Sequence, residues 1–469
     1  MTFVQQEFLV FFAVVLVLYW GVPNRRWQNG MLVVASAIFY GWVHPWFLIL
    51  LYAAAGIDYF AAIAMERWPE RKKSVLVVSL IGNLSMLGYF KYCDFFLTNV
   101  AGILDALGIH NSMGALGVFL PAGISFYTFQ SMAYSIDRYR GEMKACRNPV
   151  DYLLAVSLFC HLVAGPVQRA SNLVMQAETP RRWNTAAFFS GFSLAMWGAF
   201  TKVVVADTVS PYVDKVYAMP DPSTPLLVAG TIGFTVQILA DFAGYSNIAR
   251  GTARMLGFDL MLNFDAPYIA ATPSEFWRRW HISFSTWIRD YVYIPLGGSR
   301  GGPARVALNT MAAMMISGLW HGASWNFVVW GAYHGLLQVV YRHVEPRVPA
   351  SLRAMPGGRA LAIVLMFGFT VFGWFLFRAL ELGRIAHVLA QDPLAWPEDQ
   401  RIATVVVLAV TAAAAMPLVI GHLVERYVLP KLEGSPWIWP ARTTAWAVFA
   451  VGLFLFVRMS AAEFIYFAF

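Results

Sequence analysis

The chain has 469 residues, of which 59% are hydrophobic and 13% charged, with a formal net charge of +8. So apolar a composition excludes an ordinary soluble domain. The basic residues lie in short segments between apolar runs, the pattern of membrane orientation and not of nucleic-acid binding.

Several apolar runs approach the roughly 20 residues that cross hydrocarbon, and none shows the alternation of a transmembrane β-strand. The expected fold class is therefore an all-α polytopic membrane protein. The first run, 8–22, lacks a basic leader and a small-residue cleavage site, so it reads as a retained helix. Spans are expected near 30–48, 49–65 and 74–92. The basic link from Glu66 to Lys73 should be cytoplasmic, which places the N-terminus outside. Between Lys91 and a span at 116–135 there is no Lys or Arg, as an external segment should read. Asp137 to Arg147 then returns inside.

The run 152–165 is short and ends at Gly165-Pro166, so a broken or re-entrant helix is expected. A span at 186–206 leads to an external link with Asp207, Asp214 and Asp221, and a span at 225–243 returns inward. Segment 250–305, with seven arginines, should lie on the cytoplasmic side with one or two helices dipping into the membrane. Two apolar arms, 307–320 and 327–341, flank His321. An arm of 14 residues rises about 21 Å, which predicts that His321 lies inside the membrane. Spans near 360–380, 403–421 and 441–458 complete about ten to twelve crossings in a single domain, 1–469, with its reaction centre at about 241–335.

That centre concentrates ionisable and indole side chains, which are costly in lipid unless protein or water surrounds them. His281 follows Arg278, Arg279 and Trp280, and is open to reading as an interfacial belt. His321 is a second imidazole in the same segment. A neutral imidazole accepts a proton from an alcohol near pH 7, and a second polar group orients reactants or steadies an acyl oxygen. The pair suits acyl transfer to a hydroxyl. It suits a metal less well, because only His334 and Asp241 offer further ligands and neither has a recognisable spacing, so no metal is expected. Arg278, Arg279 and Arg289 are candidates to attract an anionic donor, or are ordinary cytoplasmic charges. Glycines 297, 298, 301 and 302 beside Arg300 fit a turn better than a phosphate cradle. Asp241 and Tyr245 read as a buried hydrogen-bonding pair. Cys93, Cys146 and Cys160 are scattered and read as inert thiols.

The words Gly88-Tyr89-Phe90-Lys91-Tyr92, Pro121 to Gln130, Ala164-Gly165-Pro166, Lys202 to Asp207, 274–298, Gly318-Leu319-Trp320-His321-Gly322, Phe372-Gly373-Trp374 and Phe464-Ile465-Tyr466-Phe467 occur in this order. In them the chain resembles the membrane-bound O-acyltransferase (MBOAT) family, in its bacterial branch typified by the membrane component of alginate O-acetylation. The resemblance implies a ring of helices about a thinned core, with a cytoplasmic and an outer funnel meeting near the catalytic histidine at His321. His281 takes the second polar position. It also implies acetyl transfer across the bacterial inner membrane, with acetyl-CoA as donor substrate and no permanently bound cofactor, although an acyl-carrier protein is an alternative donor. A periplasmic acetyltransferase partner would place the group on an exopolysaccharide such as alginate. Peptidoglycan or cellulose acetylation, D-alanylation of teichoic acid, and a non-catalytic polysaccharide or lipid transporter remain open.

Overall fold

The computed structural model describes residues 1–457 apart from 164, 350, 352–354, 380, 394 and 433. Ala164 and the motif Phe464 to Phe467 lie outside the described residues. All regular structure among the described residues is helical, and seven helices are long and apolar enough to cross a membrane. The chain forms two compact units, Met1–Phe192 with Ala249–Met261, and Ser193–Ile248 with Leu262–Phe469.

The first unit contains α1 (Gln6–Gly21), α2 (Arg25–Gly41), α3 (Phe47–Arg67), α4 (Pro69–Ala106), α5 (Ile124–Arg140), α6 (Pro149–Ser157) and α7 (Ala170–Glu178). Two of its buried carboxylates are matched by several donors, as an apolar surrounding demands. The carboxylate of Asp58 on α3 accepts from Ser79 Oγ (2.5 Å), Asn83 Nδ2 (2.8 Å) and Ser135. Asp151 takes Arg25 at 2.8 Å and Asn29 at 2.6 Å. The segment 152–162 is interrupted at Leu158, whose backbone is non-helical, and is almost wholly buried. The sequence break at Gly165-Pro166 thus falls where irregular backbone is covered by protein.

The second unit takes the later parts of α8 (Thr185–Ala218) and α9 (Thr224–Met255). It continues with α10 (Pro273–Arg279), α11 (Ile282–Ile288), α12 (Gly302–His321), α13 (Trp325–Val344), α14 (Gly358–Arg378), α15 (Leu382–Ala390), α16 (Glu398–Leu432) and α17 (Ile438–Phe456). The α12–α13 hairpin is packed backbone to backbone: a Cβ on Gly318 would lie 2.1 Å from the Phe327 carbonyl oxygen, and one on Gly331 2.4 Å from that of Met314.

Three boundary expectations need correction. The span expected at 116–135 starts only at Ile124, because left-handed Gly123 (φ +77°) sets the entry to α5. The external link expected after residue 206 is helical to Ala218, and Asp207 and Asp214 pair with Lys202 and Arg378. The two arms around His321 have 20 residues each, since left-handed Gly301 and Pro303 start α12 well before residue 307. Twenty residues rise about 30 Å, enough to cross hydrocarbon, so arm length does not place His321 in depth. What encloses it is protein: His321 is 5% exposed.

Candidate active site

The segment Thr272-Pro273-Ser274-Glu275 is a capping box in sequence, and it starts α10. Thr272 Oγ1 accepts from the Glu275 amide at 3.0 Å, while Glu275 Oε2 reaches back to the Ala271 amide at 2.9 Å. One turn on, Arg279 Nε meets Glu275 at 3.1 Å and its Nη1 meets Asp265 at 3.1 Å. Burial opposes ionisation of Glu275, but the Ala271 amide, Arg359 and Arg279 outweigh it and hold the carboxyl below its usual value. α10 ends within this clamp at Arg279, and after Trp280 comes His281, which adopts the left-handed conformation (φ +42°) and opens α11. A histidine there carries about 1–3 kcal/mol of strain, so the surroundings must impose it.

Asn263 imposes it. Its carbonyl accepts from the Ile282 amide at 2.9 Å, its Nδ2 donates to Ser246 Oγ at 3.0 Å, and its Oδ1 takes Ser283 Oγ at 2.8 Å and His281 Nδ1 at 3.0 Å. With Nδ2 committed to Ser246, Oδ1 faces the ring, so His281 carries its proton on Nδ1. Its Nε2 keeps a lone pair, and that atom is buried with no hydrogen-bond partner among the described residues. Sequence reasoning missed Asn263. The signal was slight: a lone amide in an apolar stretch, 18 residues before the histidine it orients.

His321 closes α12 at the hairpin turn. Its ring centroid lies 5.0 Å from those of Trp320 and Trp330, 5.3 Å from Phe377 and 5.6 Å from Phe284. Phe284 and Trp320 also touch His281, at 5.1 and 5.9 Å, so one layer of rings separates the two imidazoles. Trp330 continues the layer to His334 at 4.8 Å. His334 is buried, and a Cβ on Gly373 would come within 2.7 Å of its Nε2. The Nε1 atoms of Trp277, Trp330 and Trp374 and Nδ1 of His334 are buried without a hydrogen-bond partner among the described residues. Buried atoms of this kind occur elsewhere in the protein too, but these four sit in the ring layer that joins His321 and His334.

A second buried cluster lies on α8 and α9. A π-turn at Thr201–Ala206 places Lys202 Nζ 2.7 Å from Asp207 and 2.9 Å from Asp241. The Tyr245 ring lies 5.8 Å from the same ammonium. Asp241 therefore pairs with Lys202, a partner its neighbourhood in sequence did not suggest. The close approach is permitted by Gly198, where a Cβ would meet the Gly244 carbonyl oxygen at 2.5 Å. Among the described residues no three His, Cys, Asp or Glu side chains gather as a metal-ligand set.

The three arginines separate by role. Arg279 is held in the clamp, Arg278 is exposed, and Arg289 is exposed and paired with Asp290 at 2.7 Å. The glycine run forms a turn: Gly297, Gly298, Gly301 and Gly302 all have positive φ, and the amides of Gly297 and Gly298 donate to the Ile294 and Tyr293 carbonyls. Those two amides are thereby taken from any phosphate.

Seven long apolar helices define a multi-pass membrane protein, and its second unit buries an aromatic-walled layer of imidazoles. Residues 148–380 match MBOAT, the membrane-bound O-acyltransferase family. The probable alginate O-acetylase AlgI of Azotobacter vinelandii is 39% identical over 386 residues, covering 81% of this chain and 76% of that protein. The peptidoglycan O-acetyltransferase of Helicobacter pylori is 32% identical, covering 78% and 74%. The teichoic acid D-alanyltransferase of Bacillus subtilis is 27% identical, covering 54% and 68%. The chain belongs to the membrane-bound O-acyltransferase family and is an acyltransferase.

Proposed function

We propose that the protein moves an acetyl group from a cytoplasmic donor, acetyl-CoA, across the bacterial inner membrane for O-acetylation of an exopolysaccharide such as alginate. The reading is supported by one observation above others: unmatched indole and imidazole nitrogens surround His321, within the matched region 148–380. His321 takes the proton of the acceptor hydroxyl, or of a relay hydroxyl, as the oxygen attacks the acyl carbon; the thioester C–S bond then breaks, and the proton passes to the departing CoA sulfur, which leaves as the thiol. His281 Nε2, one ring layer away, holds a second hydroxyl or water in line. Arg278 and Arg289 meet the anionic donor at the cytoplasmic face, and Arg279 fixes the helix that carries Arg278. About ten to twelve crossings, with re-entrant helices, form a core whose cytoplasmic and outer funnels meet at His321. A periplasmic acetyltransferase then transfers the group to the polymer. The similarity to alginate O-acetylases over most of the chain favours this acceptor over peptidoglycan.

The test is transfer of labelled acetyl from acetyl-CoA in membranes holding the protein and its periplasmic partner, with His321→Ala at equal expression. Label reaching polymer or partner with wild type alone is expected. Equal label from the variant would remove His321 from the chemistry. Label from neither, with folded protein, would replace acetyl-CoA by a carrier-bound acyl group such as D-alanyl.

A further inference from the structure

At the end of the α12–α13 hairpin opposite the His321 turn lies a cavity of about 770 Å³. Its lining includes Arg342, His343, Arg347 and Ser299, whose hydroxyl meets Tyr293 OH at 3.1 Å, together with Val306 and Val339. Among the described residues neither arginine meets a carboxylate: Arg342 has no hydrogen-bond or ion-pair partner there, and Arg347 donates to the His343 carbonyl. His343 Nδ1 donates to the Val339 carbonyl at 2.8 Å, which leaves Nε2 as the outward atom. Glu345, next to these residues in sequence, does not line the cavity. Uncompensated cations in a concave site call for an anion.

The adjoining apolar surface distinguishes which anion. Next to the cavity, Leu308 on α12 and Val340 and Leu336 on α13 are 68%, 47% and 55% exposed. They carry the apolar surface from the basic end toward the turn. The hairpin spans about 30 Å from that end to the turn, the thickness of the hydrocarbon core. A basic head site at one interface with an exposed apolar track beneath it matches a two-part ligand, a phosphodiester on acyl chains.

We propose that this cavity seats the headgroup of an anionic phospholipid, whose chains lie along Leu308, Leu336 and Val340. Basic pockets at the cytoplasmic ends of transmembrane helices recognise such headgroups. The site is separate from the imidazole layer, and the proposal stands whether or not the donor is acetyl-CoA.

The experiment titrates delipidated full-length protein with phosphatidylglycerol and, separately, phosphatidylcholine, counting bound lipid by native mass spectrometry. Inorganic phosphate and soluble CoA serve as competitors. Phosphatidylglycerol should bind preferentially. Each of Arg342→Gln and Arg347→Gln should weaken it about fivefold, whereas Lys73→Gln, a surface charge elsewhere, should not. Ala307→Phe, which fills the cavity without changing charge, should weaken it too, and melting curves of all variants establish that they remain folded. Unchanged preference in the Arg342→Gln/Arg347→Gln double variant would overturn the proposal. So would displacement of the lipid by phosphate or CoA at concentrations equal to the lipid's, which would make the cavity a site for soluble anions.

Discussion

The lysine triad on α8 and α9 and the imidazole layer around α12 bury polar groups in opposite ways. In the triad, Lys202 meets two carboxylates directly at 2.7 and 2.9 Å. In the layer, nitrogens lie against ring faces and edges, and several have no partner. A buried charge must be matched or it destabilises the fold, whereas a neutral imidazole or indole tolerates an incomplete set of hydrogen bonds at about 1–3 kcal/mol per group. The first arrangement therefore holds two helices together. The second leaves donors and an acceptor free, which is what the proposed acyl transfer requires of it.

The harshest way to break this contrast is to remove the cation. Lys202→Met leaves Asp207 and Asp241 facing each other without compensation, and breaking a buried pair in this way costs about 3–5 kcal/mol. The yield of folded protein and its melting temperature in detergent should both collapse. A triple variant that adds Asp207→Asn and Asp241→Asn should regain much of the loss. If it recovers stability and acyl transfer together, the triad is a fastener; stability without activity would give the triad a part in the chemistry.

A smaller effect is expected on the imidazole side, and on rate more than stability. His281→Asn suits the site, since asparagine accepts the left-handed conformation and its amide N–H can still meet Asn263 Oδ1. It removes the Nε2 lone pair and little else. Transfer should fall about a hundredfold with an unchanged melting temperature. Retained activity would reduce His281 to a holder of the α10–α11 link. Asn263→Ala should lower activity as well, with a loss of stability that His281→Asn lacks.

Much of this contrast was legible in the chain, though unevenly. Apolar runs with intervening basic residues gave the helical membrane class, and His281 and His321 stood out because imidazole is rare in such company. Helix ends were less legible. Polar residues such as Asp207 and Asp214 read as solvent-facing when their partners, Lys202 and Arg378, lie across a turn or 164 residues away. Asn263 was invisible for the same reason: an amide becomes a positioning group only once folding brings His281, Ser283 and Ser246 around it. The start of α12 was illegible because its polar residues find partners only on folding: Asn309 donates to the Gly298 carbonyl at 3.0 Å and Arg305 to that of Leu296 at 3.1 Å.

The mildest probe concerns the clamp that carries His281. Glu275 pairs with Arg279 and the exposed Arg359 at 3.1 and 3.2 Å, and its carboxyl is held below the ordinary 4.5. Between the folded value and 4.5 the unfolded chain binds a proton that the folded chain does not, so stability rises with pH there. The contribution is complete above 4.5 and disappears as pH falls through the folded value. Glu275→Gln keeps a side chain suited to the capping box while removing the charge. At neutral pH it should cost less than about 1 kcal/mol, because the pairs are partly exposed and screened by salt. Melting temperatures of wild type and variant should converge as the medium is acidified below that range. A difference that persists unchanged into acid would mean that the shape and hydrogen bonds of Glu275, and not its charge, set the end of α10 and the approach to His281.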